Sequence, residues 1–291
     1  MTDPQPNLPH DLKGDTPPNN VFSASAKGAS YLILLQLFTR LVTFTFNQLL
    51  LRHTSPQIFG FATIQLDLLS SSLLFLSREG FRISLQRNHQ SLQSTINIAY
   101  IPLLIQLVVT PLACWTFWRY LGTETRGLGG EGWAIGCVGL AVLVELIGEP
   151  GFVVGVRMSR FRMRSVAEGS AVVGRCFVTY GVTMWLVKRG LLETWGVLPF
   201  GVGQLVYAIV LTGVYLWSMD GGVSLVPRKV GGTEGEEGYW FHGPTMWFAV
   251  SVTGQSLFKH VLTEGDKLVL TLFTTPYTQG VYAVVSNYGV L

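Results

Sequence analysis

The chain has 291 residues, 48% of them hydrophobic and only 13% charged, with a formal net charge of +3 and a mean hydropathy of +0.40. A soluble domain carries about 25% charged residues, so this composition excludes a water-soluble globular protein and points to a polytopic membrane protein. The small net charge, with its basic residues in short loops, argues against nucleic acid as a partner. Cys114, Cys137 and Cys176 lie in or beside apolar runs without C-x-x-C or Cys/His spacing. They read as buried thiols, and no metal site is expected.

Residues 1–25, rich in Pro, Asp and Asn, lack the apolar core of a signal peptide and read as a disordered tail. Eight apolar spans follow at about 31–51, 58–77, 96–118, 133–156, 166–187, 198–219, 245–262 and 268–291. Lipid cannot satisfy a spanning backbone, so spans this long and continuous are helices, and Pro102, Pro111 and Pro150 are expected to kink or break them. Loop charge sets orientation. Lys13, Lys27, Arg78, Arg82, Arg87, Arg157, Arg160, Arg162, Arg164, Arg228 and Lys229 lie on the side of the N-terminus, against Arg52, Arg119, Arg126, Lys188 and Arg189 on the other. The positive-inside rule therefore places the N-terminus in the cytosol. Of the two Gly-rich loops, 122–132 and 220–238, the second carries an acidic cluster and reads as a flexible connector. Neither has a phosphate-loop pattern. The chain stops at Leu291 inside an apolar run, and a truncated second helix group is expected.

Polar residues are unevenly spread over the spans. The third and sixth have almost no ionisable residues in their interiors and are expected to face lipid. An ionisable residue inside a span is costly and defaults to a functional hypothesis. In the first span Gln36, Arg40 and Asn47 fall at i, i+4 and i+11, close to one stripe of a helix. Arg40 stands at the span's centre, so the stripe is expected to face protein or a water-filled cavity, with Asp67 as a candidate partner. Glu145 and Glu149 share one helix face before Pro150, with Arg162 or Arg164 as candidate partners. Arg78, Glu79 and Arg82 lie at the membrane–cytosol boundary, where snorkelling to headgroups is the plain alternative. The seventh span carries Lys259, His260, Glu264, Asp266 and Lys267. Gly132/Gly136 and Gly151/Gly155 read as close helix contacts. No H-E-x-x-H, G-x-S-x-G or Cys/His nucleophile arrangement is present, so no catalytic residue, metal or cofactor is expected and the chain is read as a non-enzyme.

The runs LLQLFTRLVTFTFNQLLLR, LLSSSLLFLSREGFR, VELIGEP, SLFKHVLTEGDKLVL and QGVYAVVSNYG occur in this order between Leu34 and Gly289. Together they resemble the eukaryotic oligosaccharide-translocation (nuclear-division) family of the endoplasmic reticulum, within the multidrug/oligosaccharidyl-lipid/polysaccharide exporter superfamily. The resemblance covers roughly the first half of a family member. It implies an all-α fold of two lobes around a central cavity. The first six-helix lobe would occupy 26–219, a cytosolic connector 220–244, and the start of the second lobe 245–291. Arg40, Arg78, Glu79 and Arg82 match charged positions of the first lobe; Glu145, Glu149 and Pro150 match its fourth helix. Lys259, Glu264, Asp266 and Lys267 match the start of the second.

The activity implied is transfer of a dolichol-pyrophosphate-linked oligosaccharide from the cytosolic to the lumenal leaflet for N-glycosylation. A diphosphate cannot be desolvated without cationic partners. Arg40 with Lys259 or Lys267 are the expected phosphate ligands. Glu145, Glu149, Gln36 and Asn47 are expected to bond sugar hydroxyls, with rocking of the lobes exposing the cavity to each side in turn. The alternative is a non-transporting accessory protein that binds the lipid-linked sugar or a pathway enzyme. A glycosyltransferase would have only Glu234, Glu236 and Glu237 as candidate acidic residues.

Overall fold

The computed structural model describes residues 18–87, 91–158, 160–219, 225–230 and 239–289. These are helical throughout apart from loops and one isolated bridge between Val230 and Tyr239. In chain order the helices are α1 (Pro18–Leu51), α2 (Pro56–Gly60), a π-helical stretch (Phe61–Leu66) running straight into α3 (Asp67–Arg87), α4 (Leu92–Ala99) and α5 (Ile101–Arg119). They continue with α6 (Glu131–Ile147), α7 (Glu149–Arg157), α8 (Phe161–Arg189), α9 (Leu192–Trp195), α10 (Leu198–Ser218), α11 (Gly243–Phe273) and α12 (Pro276–Gly289). Helix α1 begins at Pro18, so the end of the expected tail is helical, and residues 1–17 lie outside the described residues.

Among the described residues, five helical stretches are long and apolar enough to cross a membrane: Ile33–Leu51, Pro56–Gln86, Leu92–Arg119, Arg162–Arg189 and Leu198–Ser218. A sixth qualifies as a pair, Glu131–Ile147 with Glu149–Arg157, bent by 40°. These coincide with the first six expected spans. The break in the pair has a local cause. Gly148 N–H turns to Glu145 O at 3.1 Å, and Pro150 has no N–H to give. The Thr212 hydroxyl of α10 donates to Val144 O at 2.8 Å, so the carbonyl released at the bend is not orphaned.

The last two expected spans, 245–262 and 268–291, are organised differently. Helix α11 runs unbroken for 31 residues, about 46 Å at 1.5 Å per residue, and passes through the charged stretch at 264–267. The break comes at Thr274–Thr275, because Pro276 forces the residues before it to extend; Thr274 has φ −129° and ψ 160°. Gln279 of α12 closes that break, its amide donating to Leu270 O and Thr274 O, both at 3.1 Å.

Water-driven burial cannot hold helices together in lipid, so close backbone approach and polar contacts matter more. Three crossings rest on glycine. A Cβ on Gly60 of α2 would lie 2.3 Å from Gly280 N, one on Gly80 of α3 would lie 2.6 Å from Ala249 O of α11, and one on Gly201 of α10 would lie 2.7 Å from Ala134 Cα of α6. Gly151 and Gly155 pack against the side chains of Tyr215 and Met163, whereas Gly136 faces open space. Helix α10 packs one face against α8 and α6 and presents Ile209, Leu216 and Trp217 outward, so the sixth span is an inner wall on one side and an apolar outer face on the other. Helix α5 does present Leu104, Leu107, Val108, Leu112 and Trp115 outward, as expected.

The connector is pinned at both described ends. Asn97 of α4, 1% exposed, donates to Arg228 O at 2.7 Å and Trp240 O at 2.9 Å, and accepts from Arg228 N–H at 3.0 Å. Residues 231–238, with Glu234, Glu236 and Glu237, lie outside the described residues. Asn97→Ala should lower the local stability of the clasp by about 1–3 kcal/mol. Faster amide hydrogen exchange at 225–230 and 239–242, with the exchange of α8 unchanged, is the expected reading.

Candidate functional site

Between α3, α6, α8 and α10 lies a polar cleft of about 390 Å³. Helix α3 supplies Asp67, Ser70, Ser71, Phe75, Arg78, Glu79 and Arg82; α6 supplies Glu145, α8 Arg175, and α10 Gln204 and Tyr207. A small chamber beneath it is lined by Asp67, Ser70, Arg175 and Gln204 with Val138 and Phe200. Below and above this layer the molecule is apolar. One core gathers Phe61, Leu66, Leu69, Val138 and Val142, the other Phe81, Ile98, Phe152, Ala171 and Leu211.

Two parallel ion pairs form one wall. Arg78 Nη1 bonds Glu145 Oε1 at 2.5 Å. Arg82 holds Glu149 through both nitrogens of its fork, Nε to Oε1 and Nη2 to Oε2, the latter at 2.7 Å. The carboxylates are 5% and 3% exposed and the arginines about a fifth. The spacing is i, i+4 on both elements, so successive turns of α3 meet successive turns of the bent α6–α7 pair. The Arg82 guanidinium also lies 3.7 Å above the Phe152 ring, and Arg164 lies 5.2 Å from the same ring. Glu145 and Glu149 thus pair across the fold with Arg78 and Arg82, and not with Arg162 or Arg164. Arg164 bonds Glu168 one turn along its own helix.

The charges of α11 are likewise committed to α3. Lys267 bonds Asp67 and Glu264, both at 2.8 Å, and Lys259 bonds Glu79 at 3.1 Å. His260 meets Ser72 at 2.9 Å and stacks on Phe75. Asp266 accepts from the Tyr282 hydroxyl of α12 at 3.1 Å. Asp67 therefore takes Lys267 as its partner, not Arg40. The stripe expected on the first span is not in the cleft. Helix α1 sits on α8 through Leu35 against Gly169 and Phe46 against Phe177 and Tyr180. This turns Gln36 and Arg40 to the exposed side, while Asn47 bonds Asn287 of α12 at 3.2 Å.

Sequence reasoning missed the polar cleft residues Ser70, Ser71, Arg175, Gln204 and Tyr207. One signal was available, since Arg175 stands in the middle of an apolar span. A second depression of about 740 Å³ opens between α5 and the end of α11, near Thr116, Phe117, Tyr120, Glu124, Thr271 and Thr275. No lysine or arginine lines it, so it offers an anion no charged partner.

A charge-lined cleft between apolar spans is a candidate functional site. The chain is a member of the Rft protein family (Rft-1), whose family model matches residues 24–291. It is 31% identical to a protein of Yarrowia lipolytica over 95% of this chain and 46% of that relative. Against relatives from Eremothecium gossypii and Saccharomyces cerevisiae it is 34% and 32% identical, over 93% of this chain and 54% and 55% of theirs. All three are named Man(5)GlcNAc(2)-PP-dolichol translocation protein RFT1. The chain spans about half the length of these relatives. No solved structure matches it.

Proposed function

We propose that the chain forms part of a translocator for dolichol-pyrophosphate-linked oligosaccharide, acting in the endoplasmic reticulum membrane with its N-terminus in the cytosol. The observation that carries this reading is the cleft itself, a layer of arginines, carboxylates, hydroxyls and an amide between two apolar cores, in a chain whose relatives are named for moving that lipid. Its arginines complement a diphosphate, and its carboxylates and amide complement sugar hydroxyls. At about 390 Å³ the cleft suits a diphosphate with its nearest sugar. The rest of a seven-sugar glycan would extend beyond it. Lys259 and Lys267 are already neutralised by carboxylates and do not line the cleft, so the phosphate-binding role passes to the cleft, whose Arg175 is not engaged in an ion pair among the described residues.

The test replaces the matching half of the S. cerevisiae relative with this chain, in cells depleted of their own copy, and follows glycosylation of a secreted reporter. The unaltered chimera should restore glycosylation. Exchanging one pair, Arg78→Glu with Glu145→Arg, keeps an ion pair but moves the cation to α6. It should abolish glycosylation at normal abundance, with the lipid-linked heptasaccharide accumulating. Full glycosylation by the exchanged form would sink the reading and favour an accessory protein whose ion pairs serve only the fold.

A further inference from the structure

Among the described residues, the cations facing the cleft are satisfied with one exception. Arg78 and Arg82 hold Glu145 and Glu149, while Lys259 and Lys267 on α11 hold Glu79 and Asp67. Arg175 has neither an ion pair nor a hydrogen bond. It stands near the middle of α8, part-buried, and lines both the cleft and the chamber beneath it. Three further donors that line these cavities also lack partners among the described residues: the Ser70 hydroxyl, the Gln204 amide and the Tyr207 hydroxyl. Ser70 is 5% exposed, and Arg175 lies within electrostatic range of the Tyr207 hydroxyl. A guanidinium, an amide and two hydroxyls from α3, α8 and α10 thus surround one space with nothing to donate to.

An arginine at mid-membrane costs on the order of 2.5–3.5 kcal/mol on insertion scales, and an unsatisfied polar group in a low-dielectric interior adds to that cost. The cleft's other two arginines, Arg78 and Arg82, avoid it by taking a carboxylate. Arg175 does not, which marks it as a group kept for an anion that comes and goes. Of the carboxylates lining the cleft, Asp67 is held by Lys267, Glu79 by Lys259 and Glu145 by Arg78, so each already has a cation other than Arg175.

We propose that Arg175, with Ser70, Gln204 and Tyr207, is an anion seat on the floor of the cleft that takes the diphosphate of a polyprenyl-linked headgroup. This rests on the translocation reading and deepens it. Arginine presents a planar fork that engages two phosphate oxygens at once. The two hydroxyls and the amide serve the remaining oxygens. The Arg78 and Arg82 pairs then act as a wall that positions the headgroup, and the site is selective for phosphates over neutral sugar.

The test uses the whole chain in phosphatidylcholine nanodiscs, titrated with dolichyl diphosphate, with inorganic pyrophosphate and phosphatidic acid as separate arms. Arg175→Gln should weaken dolichyl diphosphate binding by about 10- to 100-fold, the loss of one charged hydrogen-bonding partner. Gln204→Leu and Tyr207→Phe should each weaken it less. Arg175→Gln should melt at the same temperature as the parent or higher, because no ion pair is lost and a mid-membrane charge is removed. A purely structural arginine would lower it. Equal binding by parent and Arg175→Gln overturns the seat and leaves the translocation reading standing. Equal affinity for phosphatidic acid or for free pyrophosphate also overturns it, pointing to a general anionic-lipid site or a free-diphosphate site. Lost binding by Arg175→Gln, together with full glycosylation by the same variant in cells, supports the seat and sinks translocation instead.

Discussion

Glu149→Ala is expected to destabilise the protein by about 3–5 kcal/mol, the cost of leaving a buried charge without its partner. Glu149 is 3% exposed and takes both nitrogens of the Arg82 fork. Once it is gone, the guanidinium keeps only the Phe152 ring, an attraction of about 0.5–2 kcal/mol. Thermal unfolding in detergent, followed by tryptophan fluorescence, measures the loss. The informative companion is the double replacement Arg82→Met with Glu149→Met. A buried pair exchanged for apolar side chains of similar volume is often neutral or stabilising, so the double variant should recover most of the loss. If the single variant melts with the parent, the pair contributes nothing and the bend in α6–α7 is held by other contacts.

The second large effect is expected at the crossing of α2 and α12. A Cβ on Gly280 would lie 2.0 Å from Pro56 O and 2.7 Å from Pro56 C, both backbone atoms that cannot rotate away. Gly280→Ala should therefore separate the two helices and cost about 1–3 kcal/mol, the range for overpacking. The bond from Gln65 Nε2 to Gln279 Oε1, 2.8 Å and buried, should break with it. Hydrogen exchange over 276–289 should accelerate. Gly254→Ala on α11 is the control, because a Cβ there meets nothing within 4 Å. It should be neutral or stabilise by up to about 1 kcal/mol through helix propensity. Equal behaviour of the two variants would show that the α2–α12 contact is loose.

Much of the architecture was legible in the sequence, since apolar length alone locates a span. The first six spans, the break at Pro150 and the lipid-facing α5 follow from it. The course of α11 was not legible. The apolar runs 245–262 and 268–291 were drawn as separate spans, and only α3, about 200 residues earlier, shows that Lys267 is neutralised within one continuous helix. The pairing of Glu145 and Glu149 was hidden for the same reason. Nearby Arg162 and Arg164 are local candidates, whereas Arg78 and Arg82 become neighbours only when α3 packs beside α6. Membership of the stripe on α1 depends on which face meets α8, which Gly169 and Phe46 decide. Arg175 was visible as an arginine among V-V-G-R-C-F-V, yet its lack of a partner is a property of the folded cleft.

The two arginines on α3 and the two glutamates across from them also set a tolerance for changes in chain length. Each pair closes only while the contacts stay four positions apart on both sides, the gap on α3 being filled by three residues, Glu79, Gly80 and Phe81. A residue inserted there would turn Arg82 by about 100° about the helix axis and carry it away from Glu149, while Arg78 kept its partner. The residues between are themselves committed, Glu79 to Lys259, Gly80 to the close approach of α11 and Phe81 to the core, and their number is fixed as well. The stretch behaves as a ruler, and insertions or deletions within it should be excluded from working versions of the protein.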